Sequence, residues 1–441
     1  MSSLAPAIPT TSLTKGSLLA RSIKLAITFS MMLLIYNDIF GGVIKYYSAS
    51  SSLLFISFIP TLFAGVVLAG YLGTHLMVMR LHIRVAVFLL IFILNAFYAI
   101  IIGRQPEAVG FAFYIWLPFF TGLLITTFKL QDEFKKQIVI WWLIATVGVL
   151  LNSQIKFPWI GESYQVLGQT VQTARDWTAI GFDRLAGFSR ASYAVANQIA
   201  IFSMVILTMR ISLLKKLVVW TISAVAVYLT TTKITLFIMI IVPILTGLVG
   251  YFQRKSQQPT PTRQTIQLAF VIITVLASLM VLLPVFSLTS RSSISTGQSL
   301  GFISFDSLFE RMWRMWPDAW NLIFSDSNPI LIIFGRGLGG IGTPQMFYEA
   351  LKQNSADNFF VYIYVTFGMM SVFFIRYLVI NIKKWATTRN ATFQTYFALT
   401  VTTIMIGITA NIVENATALL VLGLLLGKTG TKSNQLSNPI T

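Results

Sequence analysis

The sequence predicts an all-α polytopic membrane protein of about 12 transmembrane helices with two long outer loops, the second carrying an amphipathic helix. Three observations predict it. Of 441 residues, 56% are hydrophobic and only 10% charged, with a mean hydropathy of +0.76, more apolar surface than a soluble domain can hide. Apolar windows recur at the length of about 20 residues that a hydrocarbon core of ~30 Å demands of a helix. Lysine and arginine alternate in abundance from loop to loop, as orientation by positive charge requires. The absence of cysteine removes disulfides, thiolate nucleophiles and cysteine-ligated metal.

Residues 1–21 read as a short inner tail, because "MSSLAPAIPTTSLT" lacks a charged start followed by an apolar stretch and a cleavage site. Helices are expected near 22–42, 53–73, 84–103, 110–128 and 137–153, within a first block of 22–153. A first long outer loop covers 154–190, and 191–286 holds helices near 191–209, 214–230, 234–252 and 266–286. A second long loop spans 287–357. Helices near 358–381, 393–410 and 412–427 follow, and 428–441 is an inner tail. With the N-terminus inside, nineteen cations fall in inner segments, among them Lys15, Arg21, Lys24, Arg80, Arg84, Lys135, Lys136, Arg254, Arg263 and Lys383, and twelve fall outside. Both termini are therefore placed inside. The net charge of +18 is this orientation signal plus attraction to anionic lipid, not a nucleic-acid footprint.

The two outer loops, of 37 and 71 residues, are too long for connectors and are expected to carry structure and function. They hold most of the outer cations: Lys156, Arg175, Arg184 and Arg190 in the first, Arg291, Arg311, Arg314, Arg336 and Lys352 in the second, with Lys233 in the turn between helices seven and eight. Cations where orientation disfavours them point to a polyanion such as a diphosphate, which guanidinium groups grip through two oxygens. The competing expectation is internal salt bridges with loop carboxylates such as Asp176, Glu310, Glu349 and Asp357.

In "FDSLFERMWRMWPDAWNLI", Ser307 and Glu310 have the spacing of a capping box. Phe309, Trp313, Trp316 and Trp320 share one helical face, with Arg311, Arg314 and Asp318 opposite. Pro317 is expected to kink this helix or start a second one. Its tryptophans favour the membrane–water boundary, so it is expected along the outer surface, holding its arginines over the centre. Gly335, Gly337 and Gly340 fit G-x-G-x-x-G after "PILIIF", which could pass for a strand, but a membrane helix starts too soon for a dinucleotide fold and the loop lies outside. The glycines are expected instead to permit positive φ and to leave amides and Arg336 facing an anion. The two histidines, His75 and His82, are both inner, and no paired-acid motif occurs outside, so the site is read as having neither metal nor cofactor.

Four stretches in order resemble the bacterial O-antigen ligase and O-antigen polymerase family: "RLAGFSRASYAVANQIAIF" at 184–202, "LTTTKITLFIMII" at 229–241, "FERMWRMWPDAWNLIFSDSNPILIIFGRGLGGIG" at 309–342 and "ADNFFVYIYVTFGMMSVFF" at 356–374. The likeness spans roughly 184–381. It implies an inner-membrane glycosyltransferase of lipopolysaccharide or other polysaccharide biosynthesis, moving a glycan from an undecaprenyl-diphosphate donor to an acceptor sugar hydroxyl at the periplasmic face without metal. It further implies membrane lipids, a chain-length regulator and a flippase as partners.

Carried onto this chain, the resemblance makes Arg184 or Arg190, Lys233, Arg311, Arg314 and Arg336 candidates for the diphosphate and glycan. Asp357 becomes a base, an acceptor-orienting group or a helix N-cap, and Asn358 a binding residue. Lys233 stands where the family has arginine, which keeps the charge but not the two-pronged grip. Ligases of the family show histidine before the asparagine, whereas this chain has Asp357, which favours the polymerase branch over transfer of polymer to lipid A-core. A transporter of polysaccharide or lipid-linked oligosaccharide is the competing class. No internal repeat supports it, and charges inside the helices are few: Asp38, Glu414 and Arg376. Removing the Arg336 guanidinium is expected to abolish polymer without loss of protein.

Overall fold

A computed structural model describes residues 11–76, 81–179, 182–255, 258–288, 306–325, 328–385 and 388–427. The expectations for residues 1–10, Arg80, Arg291 and the tail from 428 lie outside the described residues. The chain runs through α1 (Thr11–Ile39), α2 (Gly41–Ser50), a 3-10 turn (Leu54–Phe58) into α3 (Ile59–Leu76), α4 (Ile83–Ile101), α5 (Pro106–Thr127) and α6 (Gln131–Asn152). The first long loop holds β1 (Ser163–Val166), β2 (Gln169–Gln172), β3 (Thr178–Ala179) and β4 (Phe182–Asp183). Next come α7 (Ser192–Thr208), α8 (Leu213–Leu229), α9 (Lys233–Lys255) and α10 (Arg263–Phe286). The second long loop contains α11 (Asp306–Glu310), α12 (Trp316–Phe324), α13 (Ile330–Phe334) and α14 (Thr343–Tyr348). The chain closes with α15 (Phe359–Phe367), α16 (Ser371–Trp385), α17 (Asn390–Thr409) and α18 (Ala416–Leu426).

This is an all-α, polytopic membrane protein. Among the described residues, nine helical stretches are long and apolar enough to cross a membrane. Helices also occupy the other three apolar windows: α7 and α8 have 17 residues each, at the short end of what spans a hydrocarbon core, and α18 has 11. Helix α1 begins at Thr11, inside the stretch read as a tail, because an established helix satisfies its backbone more cheaply by extending than by ending. The short connector expected at 43–52 is largely helix α2.

Burial separates inner from outer helices. The α5 and α17 spans are 72% and 83% buried, whereas those of α3, α4, α9 and α10 are 33% or less, so the first pair forms the centre and the others its lipid-facing wall. In lipid there is no hydrophobic drive between helices, and close packing takes its place. At the α5–α18 crossing a side chain on Gly122 would strike Leu424 N at 2.7 Å, and one on Gly423 would strike Phe119 C at 2.9 Å. Phe92, Trp116 and Phe367 fill the adjacent core, with ring centroids 5.0 and 5.1 Å from Phe92.

Every connector expected to be outer meets its neighbours at one end of the bundle. Gly42 N donates to Phe188 O at 3.0 Å, Leu185 N to Leu229 O at 3.5 Å, Thr343 N to Glu414 Oε1 at 2.6 Å and Thr417 N to Asp38 Oδ2 at 3.0 Å. Connectors expected to be inner meet at the other end, where Asn390 Nδ2 donates to Gln258 O at 2.7 Å and Arg84 Nη1 to Leu426 O at 2.6 Å.

Candidate functional site

The first long loop is built, not slack. β1 and β2 pair antiparallel from Ser163 opposite Gln172 to Val166 opposite Gln169, across a two-residue turn in which Leu167 (φ 49) and Gly168 (φ 76) are both left-handed, as a tight hairpin needs. Phe157 and Trp159 stack at 4.5 Å, and Trp159 Nε1 donates to Gly187 O at 3.0 Å.

The segment "RLAGFSR" is laid down by its central residues. Gly187 takes φ 58, and a side chain there would come within 2.9 Å of the Gly148 and Val149 backbone on α6, so only glycine permits this approach. Gly187 N donates to Asn152 Oδ1 at 3.0 Å, and Phe188 packs 5.4 Å from Phe157. Arg184 and Arg190 thereby project from either end of an anchored turn. The guanidinium groups of Arg175 and Arg184 both lie against the Trp177 ring, at 4.8 and 5.5 Å, and Arg175 also reaches Tyr193 at 5.9 Å. Among the described residues, Arg175, Arg184 and Arg190 form no ion pair. Buried Nε atoms of Arg184, Arg190 and Arg311 have no hydrogen-bond partner. Burial first, then the neighbouring positive charge of Arg311, lower the Arg184 guanidinium from its ordinary value. Cations from two loops are held together against their mutual repulsion, an arrangement that an anion would relieve.

In the second loop the aromatic face is found, with its second half in the core and Phe309 exposed. Trp316 and Trp320 are buried, and Trp320 packs 5.2 Å from Tyr364 on α15. The expected surface-lying helix is thus docked by its tryptophans, since α15 offers a closer-packed partner than the membrane boundary does. No capping box forms: Ser307 lies inside α11, and Glu310 instead pairs with Arg314 at 3.4 Å. Pro317 opens α12 after a π-helical turn at Arg311–Met315, in keeping with its missing N–H.

That turn aims Arg311 at Asp357, Nη2 to Oδ2 3.2 Å. Asn354 Nδ2 donates to Met315 O at 3.1 Å and Trp316 Nε1 to Asp357 O at 3.4 Å, pinning the loop to α12. Ala356 (φ 64) and Asp357 (φ 42) are consecutive left-handed residues without glycine, strain that sites hold by surrounding contacts. The helix cap is not Asp357 but Asn358, whose Oδ1 accepts from Val361 N at 3.0 Å while Nδ2 donates to Met280 O and Ile408 O at 3.1 and 2.9 Å. Buried, and with both amide hydrogens and one oxygen lone pair engaged, Asn358 joins three helices and serves the fold as their tie.

The glycine turn corrects a second expectation. "PILIIF" supplies helix α13, not a strand, and Gly335, Gly337, Gly339 and Gly342 are left-handed while Gly340 is not. Amides expected to face an anion are spent on α15: Arg336 N donates to Val365 O at 2.6 Å and Gly337 N to Thr366 O at 3.1 Å. Arg336 is 3% exposed, and donates through Nη1 to Gly340 O and through Nη2 to Glu349 Oε2, both at 2.8 Å. Arg104, from the α4–α5 connector, pairs with the other Glu349 oxygen. Burial raises the Glu349 carboxyl, but Arg336 and Arg104 outweigh it and hold the group below its ordinary value. A cavity of about 410 Å³ bordered by Asp318, Asn321, Lys352 and Arg336 lies beside this turn.

Arg184, Arg311 and Asp357 are therefore brought together, Arg190 joins them at Tyr193, which lies in electrostatic reach of Arg175, Arg190 and Asp357, and Lys233 opens α9 just past Leu229, whose carbonyl accepts from Leu185 N. Arg336 belongs to a separate brace, and Arg314, exposed, pairs among the described residues with Glu310 in its own helix turn. Three members were missed. Arg175 was one cation among many, and its signal was Trp177 two residues on. Lys45, on α2, is pushed well below the ordinary ammonium range by burial and by Arg190. Glu414 was counted only as a charge near a helix end. The turn between α17 and α18 places it in electrostatic reach of Arg175 and Asp357. No family model, curated protein or solved structure matches the chain.

Proposed function

We propose that this chain is a glycosyltransferase of the bacterial inner membrane that polymerises surface-polysaccharide repeat units, with twelve membrane helices, both termini cytoplasmic and the arginine cluster on the periplasmic side. The donor is an undecaprenyl-diphosphate-linked glycan, and the acceptor is a sugar hydroxyl of a second one. The observation that carries the proposal is the convergence of Arg175, Arg184, Arg190 and Arg311 from two loops at one end of the bundle, the first three without a carboxylate partner among the described residues. Breaking the sugar–diphosphate bond leaves the electron pair on phosphate oxygen, and preorganised guanidinium groups stabilise that charge. The acceptor hydroxyl must lose a proton as its oxygen bonds to the sugar carbon, and Asp357 and Glu414 are the carboxyls beside the cluster. The Asp357–Asn358 pair in place of histidine–asparagine favours polymerase over ligase.

Deletion of the gene followed by analysis of surface polysaccharide separates the possibilities. A single repeat unit left on its lipid anchor supports the polymerase. Long polymer left on undecaprenyl diphosphate would make the protein a ligase, and repeat units trapped on the cytoplasmic face a transporter. An unchanged surface glycan would remove all three.

A further inference from the structure

Two carboxyls border the cation cluster, and their surroundings differ. Asp357 is neutralised: Oδ2 is ion-paired to Arg311 at 3.2 Å and Oδ1 accepts from Ser355 Oγ at 2.9 Å. Its strained backbone and its tie to Trp316 fix the pair in place. A carboxylate so engaged holds a guanidinium in position, and taking a proton would release it. Glu414 is different. Among the described residues its hydrogen-bond donor is Thr343, whose amide donates to Oε1 at 2.6 Å, and no cation among them lies within ion-pair distance. The group is half-buried rather than sealed. Its place is made by Gly342 (φ 79), where a side chain would fall 2.7 Å from Glu414 Oε1 and 3.2 Å from the Tyr362 hydroxyl. The α17–α18 break around it is rigid, with Asn411 and Asn415 capping the amides of Val413 and Ala418 at 3.0 and 2.8 Å. Both asparagines keep a buried amide nitrogen with no partner, which suits the oxygen-rich surface of a sugar.

We propose that Glu414 is the proton acceptor of the transfer and that Asp357 is a positioning residue acting through Arg311. This rests on the glycosyltransferase function proposed above. The acceptor O–H proton passes to the Glu414 carboxylate, the acceptor oxygen bonds to the donor's anomeric carbon, and the carbon–oxygen bond to the lipid diphosphate breaks. The diphosphate leaves with the bonding pair beside Arg175, Arg184 and Arg311. Burial raises the Glu414 carboxyl from its ordinary value, the direction a base working near neutrality needs.

The test uses the full chain reconstituted in phospholipid vesicles, with its undecaprenyl-diphosphate-linked repeat unit as both donor and acceptor. Glu414→Gln keeps the shape and an oxygen for the Thr343 amide. It is expected to lower kcat by ~100-fold or more while KM and the affinity for plain undecaprenyl diphosphate stay within about twofold. Asp357→Asn is expected to raise KM and weaken that affinity, as loss of a positioned Arg311 would. Should Glu414→Gln fail to accumulate, Glu414→Asp withdraws the carboxyl and is expected to lower kcat ~10-fold with KM unchanged. A kcat within about threefold of the unsubstituted protein in whichever Glu414 variant accumulates, or a kcat loss confined to Asp357→Asn, overturns the assignment and leaves the proposed function intact. If the unsubstituted protein forms no glycosidic bond from this donor, the function itself falls and the assignment falls with it.

Discussion

Two arginine-bearing turns at the same end of the bundle look alike in sequence and do opposite work. "RLAGFSR" and "GRGLGGIG" each set arginine beside glycine, and in each a left-handed glycine lets the turn press against a helix. Arg336 ends on Glu349, which also holds Arg104, so the second turn is a brace between the α4–α5 connector and the loop. Arg184 ends on the Trp177 ring beside Arg175, with Arg311 adding repulsion. The difference is the counter-charge. A guanidinium that meets a carboxylate within its own chain stabilises the fold, and one gathered with other cations is available to a ligand.

The comparison can be broken in four places. Arg184→Ala should have the largest effect, lowering transfer by ~100-fold with little change in thermal stability, because a transition-state cation is lost and no internal pair is broken. A variant that transfers normally in the vesicle assay would strip the first turn of its role. Arg336→Ala should act on stability instead. With Gly340 O and one Glu349 oxygen left without their donor and a buried side chain's volume emptied, a loss of about 3 kcal/mol and less protein in the membrane are expected. Full membrane levels with polymer abolished would return Arg336 to the site.

A gentler probe is acid. Because the folded Glu349 carboxyl lies below its ordinary 4.5, its contribution is present above that pH and lost as pH falls through the lower folded value. The thermal midpoint of the detergent-solubilised protein should therefore fall more steeply from about pH 5 downward than that of Glu349→Gln. Parallel slopes would mean that the brace carries no net stability. Smallest of all, Lys156→Ala breaks a pair with Asp176 in which the lysine is 72% exposed, and should shift stability by less than ~0.5 kcal/mol. A larger shift would mean that the first loop depends on this pair and not on its aromatic cluster.

Much of this was legible beforehand, for identifiable reasons. Membrane helices declare themselves through a run of apolar residues, a property of each segment alone, and all twelve windows are helical. The connectors expected to be outer collect at one end of the bundle, as a chain that passes back and forth requires. The face bearing Trp316 and Trp320 was visible as helical spacing, but whether it would meet lipid or protein was not, because that depends on α15, a distant segment. Asp357 is the cap the sequence offers, and only the folded chain, with φ 42 at Asp357 and the Asn358 side chain on the Val361 amide, gives the cap to its neighbour. Glu414 could not be read at all, since its partner Thr343 lies 71 positions away.

Hydropathy and the positions of lysine and arginine already say that this protein lives in a membrane and which loops carry the cations, because both properties act segment by segment. Which cations are consumed by the fold and which are left over depends on how distant segments meet. An ion pair is a meeting of two residues in space, and nothing in the spacing around Arg336 records that Glu349 and Arg104 are waiting for it.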